Sequence, residues 1–172
     1  MKKGKRRVKM EYLFGNYKVD IDVERTRAFY NQADFITSGC QCDGCCNYER
    51  AVDYFPDQVK SFFAEIGVDL KKDAEIIAYV AENDGKSIYY GGFYHVCGVM
   101  MSNTDVWISQ WDQENTHLSA LDDDSMYSIA ENYKIGFTNK CALIEDNFPA
   151  PVLQIEIAFH CPWVLEKENT YG

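Results

Sequence analysis

The stretch 39–49, GCQCDGCCNYE, holds four of the seven cysteines in this 172-residue chain. Cys42 and Cys45 form a C-x-x-C pair around Gly44, and Cys40 stands just before the pair. A C-x-x-C turn can place two thiolates on one metal ion at a Zn–S distance of about 2.3 Å, and glycine permits the positive φ that such a turn often uses. The spacing therefore predicts a structural zinc site built from Cys40, Cys42 and Cys45.

The predicted site lacks one ligand. A closed structural zinc site has four ligands, and the sequence contains no second C-x-x-C that would complete it. The fourth ligand would have to come from an isolated side chain elsewhere in the chain: Cys97, Cys141, Cys161, His95 or His160. The cysteine pattern is thus half of a zinc-ribbon signature.

The same cysteines are compatible with two other roles. Cys45 falls near the predicted N-terminus of the helix that contains Tyr48, where free amides and the helix dipole lower a thiol pKa. Cys42 and Cys45 could therefore form the reactive pair of a thiol oxidoreductase, although thioredoxin-like enzymes carry this motif inside a βαβ unit, and here antiparallel strands follow it. In the third interpretation the thiols are inert and buried, since free cysteine is among the most buried residue types.

The charge of the chain is unevenly distributed. The formal net charge is −10, but residues 1–10 (MKKGKRRVKM) carry six of the 17 basic residues and leave 27 acidic against 11 basic residues in 11–172. Blocks of like charge usually form disordered tails, so we predict a disordered basic tail over 1–10, or a start at Met10, and one globular domain over 11–172. The acidic body repels nucleic acid and favours a basic protein partner, as in an inhibitor or immunity-type protein.

The sequence also indicates the compartment. No run of about 18 apolar residues is present, and Glu11, Asn16 and Lys18 interrupt the apolar core that a signal peptide would need after the basic start. An odd number of clustered thiols is more typical of the reducing cytosol than of a disulfide-bonded secreted protein. We therefore expect a cytoplasmic protein with no membrane-spanning segment.

Three helices are predicted to position the cysteines. The first begins after Asp22, whose side chain can accept from the free amides of a first helical turn. The second covers 48–55, where apolar residues recur at i, i+3, i+4 and i+7, and Asn47 is interpreted as its capping residue. The third covers 59–66 and is expected to end at Gly67 in a Schellman-type cap.

Strands dominate the second half of the sequence. An Asp-Gly turn at 83–86 predicts a hairpin, and Gly91-Gly92 predicts a bulge or bend. In the last strand, Gln154 and Glu156 alternate with apolar residues and are expected to face water. The predicted strands are 12–21, 75–80, 87–90, 93–99, 106–111, 133–137 and 152–159. This order predicts an α+β fold in which an N-terminal strand and two or three helices pack on one face of a mainly antiparallel sheet.

Several short motifs resemble those of a family of uncharacterised small bacterial proteins. They are the segment 22–30 (DVERTRAFY), the box Cys40-x-Cys42-x-x-Cys45-x-Asn47-Tyr48, the helix end 66–69 (IGVD) and the segment 162–165 (PWVL). The resemblance covers roughly the first 70 residues and the closing motif, and it implies a bacterial cytosolic protein without supplying catalytic residues. Cys46 is not part of the family's box and is therefore left out of the predicted site.

Signatures of common enzyme classes are absent from the sequence, which contains no P-loop, dinucleotide-binding fingerprint, G-x-S-x-G or H-E-x-x-H motif. His95 and Cys97 share a strand face with Phe93, a setting more typical of packing than of catalysis. The sequence thus favours a binding or interaction domain with a structural metal site over an enzyme. A thiol oxidoreductase and an acidic inhibitor of a basic partner remain the alternatives.

Overall fold

The computed structural model describes residues 10–111 and 117–172, so the segment predicted as a basic tail lies outside the described residues except for Met10. The helices are α1 (Val23–Gln32), α2 (Ile36–Gly39), α3 (Asp43–Ala51) and α4 (Asp57–Glu65). The strands are β1 (Met10–Phe14), β2 (Tyr17–Ile21), β3 (Glu75–Glu82), β4 (Ser87–Met100), β5 (Trp107–Trp111), β6 (His117–Leu121), β7 (Tyr127–Ala130), β8 (Tyr133–Thr138) and β9 (Val152–Pro162). Short 3₁₀ turns are formed at Val52–Tyr54 and Asp123–Ser125.

Seven strands form one antiparallel sheet, six of them in the order β1-β2-β4-β9-β8-β7. The seventh, β3, pairs with residues 87–93 of the long strand β4, on the same edge where β2 pairs with residues 98–100. β5 and β6 form a separate antiparallel hairpin. β4 and β9 pair continuously from Ser87 opposite Pro162 to Cys97 opposite Val152. The predicted α+β fold on a mainly antiparallel sheet is confirmed. In the described ranges, no helix is both long and apolar enough to cross a membrane.

Two helix ends follow their sequence signals. The Asp22 carboxylate accepts from the backbone N–H of Arg25 at 3.1 Å and begins α1, as predicted. Gly67 has a φ of 88°, and the N–H of Val68 donates to the carbonyl of Phe63 at 2.8 Å. These are the features of the Schellman cap predicted after α4, and that prediction is confirmed.

The predictions for two segments of the strands, 12–21 and the region of Gly91-Gly92, are wrong. The segment 12–21 is not one strand but the β1–β2 hairpin, because Gly15, with a φ of 57°, turns the chain back on itself. The bulge predicted at Gly91-Gly92 lies on the partner strand, where the β3–β4 register skips Tyr79. Gly91 instead leaves room for the ring of Tyr79, since a Cβ at that glycine would lie 2.7 Å from the ring.

The helices pack on the sheet through buried aromatic side chains. Tyr48 of α3 and Tyr94 of β4 are fully buried, and their hydroxyl oxygens lie 2.6 Å apart. Tyr94 also donates to the carbonyl of Leu70, and the ring of Phe63 in α4 packs against it with centroids 5.4 Å apart. These contacts hold α3, and the cysteines that it carries, against the centre of the sheet.

The opposite face of the sheet is covered, and the prediction that Gln154 and Glu156 face water is wrong. Their side chains are 2% and 3% exposed. The indole Nε1 of Trp107, in β5, donates to Glu156 at 2.9 Å, and the backbone N–H of Ala142 donates to Gln154 at 2.8 Å. Alternation along a strand shows which side chains share a face, but it does not show what covers that face.

Candidate metal centre

Cys42 and Cys45 lie at the start of α3, because this helix begins earlier than predicted, and Cys40 is the C-cap residue of α2. The helix predicted over 48–55 begins at Asp43, has Cys42 as its N-cap residue and ends at Ala51. The Cys42 sulfur accepts from the backbone N–H of Cys45 at 3.4 Å, which is the bond that an N-cap side chain usually makes. This local geometry brings the two thiols of the C-x-x-C pair to the same end of the helix.

Three thiols converge at this helix end. The Sγ atoms of Cys40, Cys42 and Cys45 all lie within 4.8 Å of one another, and those of Cys40 and Cys42 are 3.3 Å apart. Cys40 and Cys42 are exposed, whereas Cys45 is 7% exposed. Sulfurs on one tetrahedral zinc ion are separated by about 3.8 Å when each Zn–S bond is about 2.3 Å. The three residues predicted as ligands can therefore hold a metal ion.

The three thiols differ in their environments. Burial raises the pKa of the Cys42 thiol, but hydrogen bonds to its sulfur, first from the backbone N–H of Cys45 and then from neighbouring side chains, make the net shift downward. Burial raises the pKa of the Cys45 thiol, and hydrogen bonding with Cys40 and Cys42 adds to the rise. The low thiol pKa predicted for Cys45 is therefore wrong, and the helix N-terminus favours the thiolate of Cys42 instead.

The side chains considered as a fourth ligand lie elsewhere. His160 is hydrogen-bonded to Glu82 at 2.8 Å, and His95 is buried on the sheet face opposite α3. The Cys46 sulfur lies 3.6 Å from a backbone carbonyl oxygen, away from the other three thiols. Within the part of the chain that the structure describes, the cluster of possible ligands contains Cys40, Cys42 and Cys45 alone.

The C-terminal segment closes over the cysteines, a contact for which the cysteine spacing gives no signal. The Tyr171 hydroxyl accepts from the backbone N–H of Gly44 at 2.8 Å and, as the smallest of several influences, lowers the pKa of the neighbouring Cys42 thiol. A Cβ at Gly44 would lie 2.8 Å from that hydroxyl oxygen and 2.7 Å from the Cβ of Ala78. Gly44 has no positive φ, so the conformational role predicted for it is wrong, and its function is to permit this close approach.

Asn47 connects α3 with β4 and the C-terminal segment. Its side chain is fully buried, and its Nδ2 donates to the hydroxyl of Tyr90 at 3.1 Å and to the carbonyl of Pro162 at 3.2 Å. Its Oδ1 accepts from the backbone N–H of Val164 at 2.7 Å. The predicted capping role is wrong because α3 begins at Cys42, and Asn47 instead fixes the position of the helix.

Comparison with known proteins gives no relative whose function could be carried over to this chain. No protein-family model matches it, and no curated protein or solved structure matches it either. The convergent thiols and the contacts around them are therefore the evidence on which a function can be built.

Three carboxylates surround a cavity of about 380 Å³ beside α1 and α2: Asp34, Asp73 and Glu145. Burial, with smaller contributions from the charges of Glu145 and Asp34, raises the pKa of Asp73 to about 6. Because this value lies above the unfolded value of about 3.9, folding favours the protonated carboxyl group. Its contribution to stability is complete below about pH 4 and is lost as the pH rises through about 6.

Replacing Asp73 with asparagine should therefore stabilise the protein at neutral pH. We expect the Asp73→Asn variant to gain about 1 kcal/mol in the free energy of unfolding near pH 7.5 and to lose the decline in stability between about pH 4 and 6. Asparagine tolerates the backbone at this position, where φ is 43°. Urea unfolding at several pH values measures both effects, with the exposed Asp84→Asn, also at positive φ, as the matched control. Equal stabilisation by the two substitutions would contradict this explanation.

Proposed function

We propose that this chain is a binding domain in which Cys40, Cys42 and Cys45 hold a structural zinc ion. The observation that carries the proposal is the convergence of three thiol sulfurs within 4.8 Å at one helix end. Soft thiolate ligands suit zinc, and the binding free energy of a structural zinc ion contributes directly to folding. The ion would tie α2, which has only four residues, to the first turn of α3.

The start of α3 suits the charge of such a centre. Three thiolates around a divalent zinc ion carry a net negative charge, and the free N–H groups and dipole of a helix N-terminus stabilise negative charge. The Cys42 sulfur already accepts from one of these N–H groups. Lys167 lies 2.6 Å from the carboxylate of Asp43 in the same helical turn and offsets the acidic side chain beside the site.

Tyr171 is proposed as an outer partner of the metal ligands. Its hydroxyl is held by the N–H of Gly44 and favours the thiolate form of Cys42, which is the form that binds metal. Outer hydrogen bonds of this kind orient ligands and support metal affinity. The three thiolates leave the fourth position of a tetrahedral zinc ion for water or for a ligand from a partner.

Cobalt(II) titration of the metal-free protein tests the proposed ligand set, because thiolate-bound cobalt absorbs strongly in the near ultraviolet through charge transfer. We expect one cobalt ion to bind per chain, with the intensity of three thiolate ligands, and zinc to displace it. Binding without the charge-transfer absorption would exclude a thiolate site.

The Tyr171→Phe variant should bind zinc more weakly while it remains folded. Removing the hydroxyl takes away a group that favours the Cys42 thiolate, and loss of an outer partner is expected to lower zinc affinity by about 10-fold. Competition with a chromogenic chelator measures the change. Tyr54→Phe is the matched control, since Tyr54 is 70% exposed. If both variants keep the affinity of the unsubstituted chain, Tyr171 has no role at the site.

A thiol oxidoreductase is the second candidate function, favoured by the 3.3 Å separation of the Cys40 and Cys42 sulfurs. Cys40 replaces Cys45 as the partner in this version because Cys45 is buried. The Cys42 thiolate would attack a substrate disulfide and release one thiol, and Cys40 would then attack the mixed disulfide. The products are a Cys40–Cys42 disulfide and the second substrate thiol, so the substrate gains the two electrons that the protein loses.

Zinc retention in a glutathione buffer separates the two candidates. If the chain keeps a full equivalent of zinc while reduced and oxidised glutathione are both present, the thiols are ligands and the redox candidate is excluded. If peptide mapping instead finds a Cys40–Cys42 disulfide and the zinc is released, the oxidoreductase is favoured. Both candidate functions depend on sulfurs of the same three-thiol cluster, and the two results favour different candidates.

For the partner of this domain, we propose a basic protein. The support is the net charge of −10 and the three carboxylates around the cavity beside α1 and α2. Capture of a partner from a cell extract should fall sharply between about 50 mM and 500 mM salt, because ions screen exposed charges. Capture that is independent of salt would contradict a basic partner.

A further inference from the structure

We propose that a small aromatic cavity on the sheet face opposite the helices binds an alkylammonium cation of the choline type. The cavity has a volume of about 150 Å³ and lies between the β3–β4–β9 part of the sheet and the β5–β6 hairpin. Its lining includes four aromatic side chains and one carboxylate: Tyr79, Tyr89, Phe93, Trp107 and Glu156. The cavity is separate from the cysteine cluster, and its proposed ligand does not depend on a bound metal.

Contacts between the rings hold one side of the cavity in place. The rings of Tyr79 and Tyr89 stack with centroids 5.4 Å apart and planes inclined by 23°. Tyr89 also stacks on His160, with centroids 4.8 Å apart. Aromatic rings attract cations through the negative potential of their faces, and rings that are already ordered lose little freedom when a ligand binds. The wall is therefore suited to a cation with apolar substituents.

Glu156 supplies a carboxyl group beside these rings, and burial raises its pKa. Its side chain is 3% exposed, and it accepts from Trp107 Nε1 at 2.9 Å and from the side-chain amide of Gln154. Both donors are neutral, and among the described residues no cationic side chain forms an ion pair with this carboxylate. A buried charge is costly unless an opposite charge is close, so a cation in the cavity would favour the ionised form of Glu156 and be stabilised by it.

The dimensions and charge of the cavity indicate which cation it would take. An apolar cavity of about 150 Å³ in another protein holds benzene, and a trimethylammonium group has a similar bulk. Quaternary ammonium groups are recognised in proteins by cages of aromatic rings. An anion would be repelled by Glu156 and by the net charge of −10. A small methylated ammonium ion meets the conditions of size, charge and apolar surface together.

Two features of the backbone create the cavity wall. The β3–β4 register shifts around Tyr79, and a bulge of this kind redirects a side chain and is frequent next to binding sites. Gly91 lies under the ring of Tyr79, and a Cβ at that glycine would come within 2.7 Å of the ring. The bulge and the glycine together allow a half-exposed tyrosine to lie over β4 beside Tyr89.

Titration of the full chain with choline, followed by NMR, tests the proposal. The control ligand is 3,3-dimethyl-1-butanol, in which a neutral carbon replaces the ammonium nitrogen. We expect choline to saturate one site with a Kd below about 10 mM and the alcohol to bind at least about 10-fold more weakly. Equal affinity for the two ligands, or no saturable binding of choline, would overturn the proposal.

Two variants locate the binding to this cavity. Tyr79→Leu should weaken choline binding by about 5-fold, whereas Tyr54→Leu, at an exposed tyrosine outside the cavity, should leave it unchanged. Glu156→Gln should weaken it by at least about 10-fold, with thermal unfolding as the check that the variant is folded. Tyr79 is 53% exposed and can be replaced without opening the core, so Tyr79→Leu decides the question even if Glu156→Gln fails to fold. Unchanged affinity in Tyr79→Leu would overturn the proposal.

Discussion

The Cys42→Ser variant is expected to retain less than about a tenth of a zinc ion per chain and to unfold about 10 °C below the unsubstituted protein. Cys42 is the central ligand of the proposed site, because its sulfur lies 3.3 Å from that of Cys40 and accepts from the N–H of Cys45. A site filled at 100 times its Kd stabilises a protein by about 2.7 kcal/mol, which corresponds to a shift of about this size in a chain of this length. Elemental analysis and thermal unfolding measure the two effects.

Cys46→Ser is the matched control for this substitution. Cys46 is the neighbouring cysteine in α3, but its sulfur contacts a backbone carbonyl and lies outside the three-thiol cluster. We expect Cys46→Ser to keep its zinc and to change the midpoint of unfolding by no more than about 2 °C. Equal loss of zinc in the two variants would show that the site is not the one proposed.

Replacing Asn47 with alanine is expected to lower the free energy of unfolding by about 3 kcal/mol. The substitution removes one acceptor and two donor contacts from the interior and leaves the N–H of Val164 and the carbonyl of Pro162 without the side chain that now pairs with them. Each unsatisfied buried polar group costs about 1–3 kcal/mol. Urea unfolding followed by circular dichroism measures the loss.

Asn31→Ala is the control, since Asn31 lies exposed on α1. Its stability is expected to change by no more than about 0.5 kcal/mol. A loss in Asn47→Ala as small as that in the control would mean that the buried amide does not fix α3. The same pair of variants also reports on the metal site, because loosening α3 should weaken zinc binding only in Asn47→Ala.

Sequence signals were sufficient where the whole interaction lies within a few residues. The N-cap at Asp22 and the glycine cap at Gly67 involve partners three to five positions apart, and both form as predicted. The cluster of Cys40, Cys42 and Cys45 is similarly local, because a helix start folds nearby thiols toward one another. The exact start of α3 was not predictable in this way, since cysteine is not among the usual N-cap residues.

Contacts between distant segments could not be derived from the same patterns. Tyr171 meets Gly44 across 127 positions of the chain, and Trp107 meets Glu156 across 49. Neither pair leaves a periodic signal in the sequence, because each depends on how complete elements pack. Glu156 is buried because the β5–β6 hairpin covers it. The strand β9 is therefore buried on both faces, although its polar and apolar residues alternate as in a half-exposed strand.

The metal content of the unsubstituted chain tests the central claim most directly. The protein is purified without chelators and without a nickel affinity column, and its metals are measured against its concentration by elemental analysis. The convergence of three thiols at the start of α3 predicts about one zinc ion per chain. Less than about a tenth of an equivalent of zinc or another thiophilic metal would contradict a structural metal site.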